Sequence, residues 1–330
     1  MKQQDFEAAH ASRWQAFADW LDSSPARRKG AAPATKLAPL EPTEVPARYR
    51  ELCQHLALAR DRQYSAELIE RLSRLALAGH QRLYGAHGDT RSQVAAFLLR
   101  GFPSAVRARW PFVLVAALLF FGPLLILTGA LQSYPDFAYV IIPPEQVESF
   151  DEMYGDAAQK LGRKREAGDD AVMFGFYIWN NVRIGFQTFA GGILFGLGAL
   201  FYLLFNGVFI GTVTGYVVHA GYATNFFSFT SGHSAFELSA IALCGAAGLR
   251  LGYGLVAPGR LRRGDALRQA AREALPLVIG AACMLVLAAA IEAFWSPRTE
   301  VPPPVKYAVG AVLWLVTLAY FTLMGRGRAA

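Results

Sequence analysis

Thiol chemistry is nearly absent from this sequence. Its three cysteines, Cys53, Cys244 and Cys283, are scattered and form no CxxC pair. A zinc finger, a dithiol redox motif and a disulfide framework are therefore excluded as readings. The usual motifs of hydrolases and nucleotide enzymes are missing as well. No HExxH, GxSxG, GxxxxGK[ST] or GxGxxG occurs, and no EF-hand spacing orders the acids. Residues 1–22 are charged throughout and lack the apolar centre of a signal peptide, so the first span is expected to direct insertion itself. Charge too is scarce, at 17% of 330 residues.

What fills the space is apolar. Hydrophobic residues make up 54% of the chain, and they gather in long runs with little or no charge. The longest, residues 184–236, holds 53 residues without one formal charge. About 20 apolar residues cross a hydrocarbon core, so this run holds two crossings. Lipid offers no hydrogen bonds to the backbone, which makes the crossings helices. Within the run Gly192 and Gly196, and then Gly207, Gly211 and Gly215, recur every fourth residue. That spacing lines one helix face with glycine and lets another backbone come close. Generic tight helix packing is the plain reading, and a pore or homodimer seam the sharper one.

The fold class expected is all-α: a polytopic helical membrane protein with about six transmembrane helices and an N-terminal cytoplasmic helical segment. An amphipathic helix covers 1–22, with Phe6, Trp14, Phe17 and Leu21 on one face. A Pro-rich linker follows at 23–46. A cytoplasmic helical hairpin spans 47–90, where Leu52, Leu56, Leu68 and Leu72 lie on buried stripes and His55, His80 and His87 are read as solvated. An interfacial amphipathic helix occupies 91–110, its Arg91, Arg100, Arg107 and Arg109 directed at anionic headgroups and its run broken at Pro103. The transmembrane domain, 111–330, has spans at about 111–131, 184–204, 207–220, 234–256, 274–295 and 306–324. A turn at 205–207 separates the second from the third. Tyr139 to Ile142 is expected to be extended, and residues 173–181 to form a short interfacial helix.

Charge orients these spans. Residues 1–110 carry 17 bases and 11 acids, whereas the loop 132–171 carries nine acids and four bases. Basic segments stay inside, which puts both termini in the cytoplasm and the acidic loop outside the inner membrane. The positive balance of +7 is explained by that bias, so no nucleic-acid partner is inferred.

Away from the basic inner loops, three charges lie at or within the apolar spans from two to five: Arg183, Glu237 and Glu292. Intramembrane charge costs about 2.5–3.5 kcal/mol at a helix centre, and the expectation is an outer-leaflet network in which Arg183 pairs with one glutamate. His233 and Glu237 are four apart, hence on one helix face. They could be a proton relay or half of a metal site. Ser234 to Glu237 also matches the S-x-x-E capping box, and that reading is preferred because it sets a helix start. Asn180, Asn181 and Asn206 complete the candidate polar set. No catalytic, cofactor or metal site is assigned.

The run Gly232-His-Ser-Ala-Phe-Glu-Leu-Ser-Ala-Ile-Ala-Leu-Cys-Gly-Ala-Ala-Gly-Leu-Arg-Leu-Gly252 resembles the hallmark of the stage II sporulation protein M family, H-G-x-x-E-L-x-A-I…G-A-A-G-L. Asn180-Asn-Val-Arg183, Gly191 to Gly198 and Asn206-Gly207 fit the same pattern, as does Arg48 to Arg60 in longer members. Ser234 replaces the family's glycine after the histidine. The resemblance implies a non-enzymatic scaffold in the cell envelope, similar to the namesake that holds peptidoglycan-remodelling enzymes at a septum. The long N-terminal part resembles the branch of non-sporulating bacteria, where MoxR-type AAA ATPases and von Willebrand factor A-type proteins are expected cytoplasmic partners. Envelope proteins would meet the 132–171 loop, and membrane lipids the spans. The alternative is a channel or transporter through the Gly-rich bundle, since glycine-interrupted spans are where transporters bind solutes.

Overall fold

A computed structural model describes residues 2–22, 40–41, 43–84, 90–155 and 167–326. Among them no strand occurs, and the helices fall into two compact units, residues 1–92 and 93–330.

The first unit is built from α1 (Gln3–Asp22), α2 (Val45–Asp61) and α3 (Ala66–Tyr84). The stripes legible in the sequence meet in one core: Phe6, Trp14 and Phe17 from α1, Leu52 from α2, Leu68 and Leu72 from α3. Each such side chain contributes about 1.5–3 kcal/mol by leaving water. A two-helix hairpin alone has too little to bury, and α1 supplies the missing third layer by packing on both α2 and α3. Gly79 is what lets Phe17 in, because a Cβ there would stand 2.8 Å from the ring. Gln3 ties the first turn of α1 to the start of α3, accepting from the Ser65 amide at 2.9 Å. His55, expected in water, is instead buried and accepts the Trp14 indole N–H at 3.1 Å. His80 sits 3.5 Å from the Tyr49 hydroxyl. His87 and most of the expected linker, 23–39 and 42, lie outside the described residues.

The boundary between the units falls within α4 (Thr90–Ala96), which is followed by a π turn (Phe97–Gly101) and α5 (Phe102–Ala108). Pro103 does not break this helix as expected. The π turn lies ahead of it, and within that turn the Leu98 carbonyl accepts the Tyr320 hydroxyl. Phe102 and Val106 turn inward and are buried.

The long helices of this unit are α6 (Trp110–Ala130), α9 (Ala167–Ala190), α10 (Leu197–His219), α11 (Ala223–Val256), α12 (Arg263–Phe294) and α13 (Pro303–Leu323); α7 (Ala138–Ile141) and α8 (Pro144–Tyr154) lie between the first two. Five of them, α6 and α10 to α13, are long and apolar enough to cross a membrane. The sixth, α9, has 24 residues and carries Asp169, Asp170 and Arg183. At 1.5 Å per residue it is about 36 Å long, enough for a crossing. Phe174 meets Phe294 and Gly185 meets Leu285, so α9 runs antiparallel to α12. Central α11 packs on α6, α9, α10, α12 and α13. On the outside, α6 and α13 present Leu118, Leu125, Ile126, Leu315 and Leu318, a surface fit for lipid.

The reversal expected at 205–207 is elsewhere. It falls at Gly191–Gly196, where Phe195 has φ 54° and Gly196 φ 86°. Asn206 lies inside α10, its Nδ2 donating to the Tyr202 carbonyl of its own helix at 2.7 Å. The helices on either side of the reversal are therefore α9 and α10, and residues 173–181 are the middle of α9 rather than a separate short helix. The glycine ridge is consumed within the chain. A Cβ on Gly207 would stand 2.3 Å from the Phe120 carbonyl oxygen of α6, and one on Gly211 2.6 Å from that of Leu124. At the turn, a Cβ on Gly192 would stand 2.1 Å from the Gly248 oxygen of α11.

The loop between α6 and α9 folds onto the bundle. Ile142 and Val147 join Val213, Val217 and Phe226 in a cluster. The Tyr216 hydroxyl donates to Asp151 at 2.9 Å, and Asn225 donates to the Tyr154 carbonyl at 2.7 Å. The strand-like segment expected at Tyr139 to Ile142 is α7, with only Ile142 extended. Residues 156–166 lie outside the described residues. At the other end of the bundle Glu273 of α12 accepts Arg250 of α11 at 2.9 Å and Arg109 at 3.2 Å.

Candidate functional site

Two neighbouring helices place three titratable side chains against one another. On α11, His233 and Glu237 are one turn apart and share a face; on α12, Glu292 sits in the final turn. Gly232 makes the approach possible, since a Cβ there would stand 2.5 Å from the Trp295 ring that follows α12. The ligating atoms of His233, Glu237 and Glu292 all lie within 4.8 Å of one another. His233 Nε2 is 3.7 Å from Glu237 Oε2, beyond a hydrogen bond.

The surroundings fix this trio. Nδ1 of His233 pairs with the Ser296 hydroxyl at 3.1 Å, which leaves Nε2 toward the glutamates. Lys306 from α13 is buried and donates to the Ser296 carbonyl at 2.7 Å, holding the turn in place. The Phe229 ring meets the imidazole edge-on, with centroids 5.6 Å apart. From α9 comes Asn181, 1% exposed, its side chain beside the Glu292 carboxylate. Two polar atoms here are buried without a hydrogen-bond partner: Glu292 Oε2 and Asn181 Nδ2. Tyr154 reaches the same neighbourhood from α8, outside the spans. Burial, then the charge of Glu292, push its hydroxyl up to about 12, so it stays a donor.

Several sequence expectations are corrected by this geometry. The two glutamates meet, but Arg183 does not join them. Its guanidinium lies 4.4 Å over the Trp179 ring and 3.5 Å from the Asn180 oxygen. Among the described residues no lysine or arginine forms an ion pair with Glu237 or Glu292. The capping box is absent too. Helix α11 starts at Ala223, so Ser234 is well inside it, its hydroxyl turned back to the Ser231 carbonyl at 3.3 Å and receiving the Trp314 indole at 3.2 Å. Asn180 donates to Asn181 at 3.2 Å and so belongs to the site's edge, whereas Asn206 belongs to α10. Sequence reasoning missed Ser296 and Lys306. Ser296 had a signal, being four residues past Glu292; Lys306 read as a span-end charge.

A second trio, His10, Glu51 and His55, occurs in the first unit with ligating atoms equally close. There Glu51 and His55 are already engaged, while His10 Nδ1 is buried without a hydrogen-bond partner. Burial would raise the Glu51 carboxyl, but hydrogen bonds from Arg13 and Arg48 outweigh it and hold the group below its ordinary value. Burial, then His10, holds His55 low.

The family model described as Stage II sporulation protein M matches residues 112–297, and one described as a domain of unknown function (DUF8413) matches residues 4–85. No curated protein and no solved structure matches the chain.

Proposed function

This chain belongs to the stage II sporulation protein M family, and on that footing we propose that it is a non-enzymatic scaffold of the bacterial inner membrane. It holds cytoplasmic partners through residues 1–92 and envelope partners through the acidic loop between α6 and α9. Peptidoglycan-remodelling enzymes are the envelope partners the family suggests, and MoxR-type ATPases or von Willebrand factor A-type proteins the cytoplasmic ones. The observation that carries this reading is the first unit: a three-helix module with its own aromatic core, matched by its own domain model, attached to a membrane bundle. A module with a separate core adds a docking surface without disturbing the anchor. Opposite net charge in the two polar segments supports placing them on opposite sides.

Affinity purification in mild detergent tests it. The full chain is compared with one lacking residues 2–84 and one in which 135–155 is replaced by Gly/Ser. Each alteration is expected to remove a different set of partners. Identical partner lists for all three would remove the reading's basis. A solute pathway is less well supported, because the glycines that suggested it close helix seams.

A further inference from the structure

We propose that His233, Glu237 and Glu292 form a binding site for one divalent transition-metal ion of the zinc type. The reasoning is independent of the scaffold role.

Three protein ligands from two helices is the minimum for such an ion, and one imidazole with two carboxylates is a donor set that suits it. Calcium wants six to eight oxygens, more than two glutamates offer. Bond lengths of about 2.0–2.2 Å put ligand atoms about 3.3–3.6 Å apart around a tetrahedral ion. The His233–Glu237 separation of 3.7 Å is nearly there, and Glu292 lies within 4.8 Å of both, inside the reach of a small side-chain adjustment. Two ionised carboxylates held this near each other inside a bilayer repel, and no lysine or arginine pairs with either among the described residues. A dication neutralises both.

The second, independent sign is unused polar capacity. Glu292 Oε2 is buried with no partner at hydrogen-bond geometry, and so is Nδ2 of the adjoining Asn181, whose oxygen accepts from Asn180. Buried polar atoms are normally satisfied, and a ligand at the centre of the trio would satisfy Glu292. Ser296 on Nδ1 is the arrangement that orients a ligating histidine, with Nε2 left for the metal. In the trio of the first unit only His10 Nδ1 is left unpartnered: two arginines, Arg13 and Arg48, neutralise Glu51, and the Trp14 indole occupies His55 Nδ1. A bound ion would clamp α11 to α12 under the loop that carries Tyr154.

The test uses the full chain, purified in detergent through a tag without histidine and stripped with a chelator. Co²⁺ is titrated by visible absorption and Zn²⁺ counted by elemental mass spectrometry. One ion per chain is expected, with its d–d bands lost in Glu292→Gln and His233→Asn and kept when His10 and His55 are both changed to Ala. Ser296→Ala is expected to weaken binding about 10–100-fold. X-ray absorption at the zinc edge of the unaltered protein needs no variant to fold, and should show one imidazole and oxygen ligands without sulfur. No stoichiometric ion on the unaltered chain, binding that survives Glu237→Gln with Glu292→Gln, or a sulfur-containing shell would overturn the site.

Discussion

His55 shows how much one buried side chain can decide. It supports the Trp14 indole inside an aromatic core, where burial first and the His10 charge second hold it below its ordinary 6.5. In the unfolded chain it takes up a proton near 6.5; in the folded unit it resists. Its contribution is therefore complete above that value and is lost as pH falls below it. Residues 1–92 should melt at lower temperature at pH 5 than at pH 7.5, and His55→Gln should flatten most of that difference. An unchanged slope in the variant would mean the imidazole titrates freely in water. Local pattern does not reveal this burial, since the partner Trp14 is 41 residues away. Glu237 and Glu292 were legible as costly charges in one network, but that they meet each other without Arg183 depends on how α11 lies on α12. The S-x-x-E pattern at Ser234 misled for a physical reason: the same four residues serve a helix start or a helix middle.

Between helices, the glycines do the positioning. Gly211→Ala should cost about 1–3 kcal/mol of bundle stability, because its Cβ would stand 2.6 Å from the Leu124 carbonyl oxygen. Gly122→Ala meets nothing within 4 Å and should be silent. Fluorescence-detected size exclusion after heating in detergent reads the difference, and equal losses would contradict the seam. Gly196→Ala should cost about 1–2 kcal/mol from its left-handed backbone alone, whereas Asn206→Leu should be mild. The helix content and glycine spacing were legible from sequence. The turn was not: Phe205-Asn-Gly207 has turn chemistry, yet Asn206 is satisfied by Tyr202 within its helix. Gly192 and Gly196 read as a packing face while also making the reversal.

At the scale of the molecule, the two units are expected to separate cleanly. Residues 1–92 expressed alone should be soluble and unfold cooperatively, because Phe6, Trp14, Phe17, Leu52 and Leu72 close a core without help; a gradual, non-cooperative melt would deny the module its independence. The scaffold reading rests on this module and the acidic loop facing opposite sides of the membrane. Cysteine labelling tests that most directly. In a chain with Cys53, Cys244 and Cys283 replaced by serine, single cysteines are placed at Ser73 and at Ser149. Intact spheroplasts are then treated with a membrane-impermeant maleimide. Labelling at 149 alone, with 73 reacting only after lysis, is the predicted result; labelling at 73 in intact spheroplasts, or the same accessibility at both positions, would contradict the account.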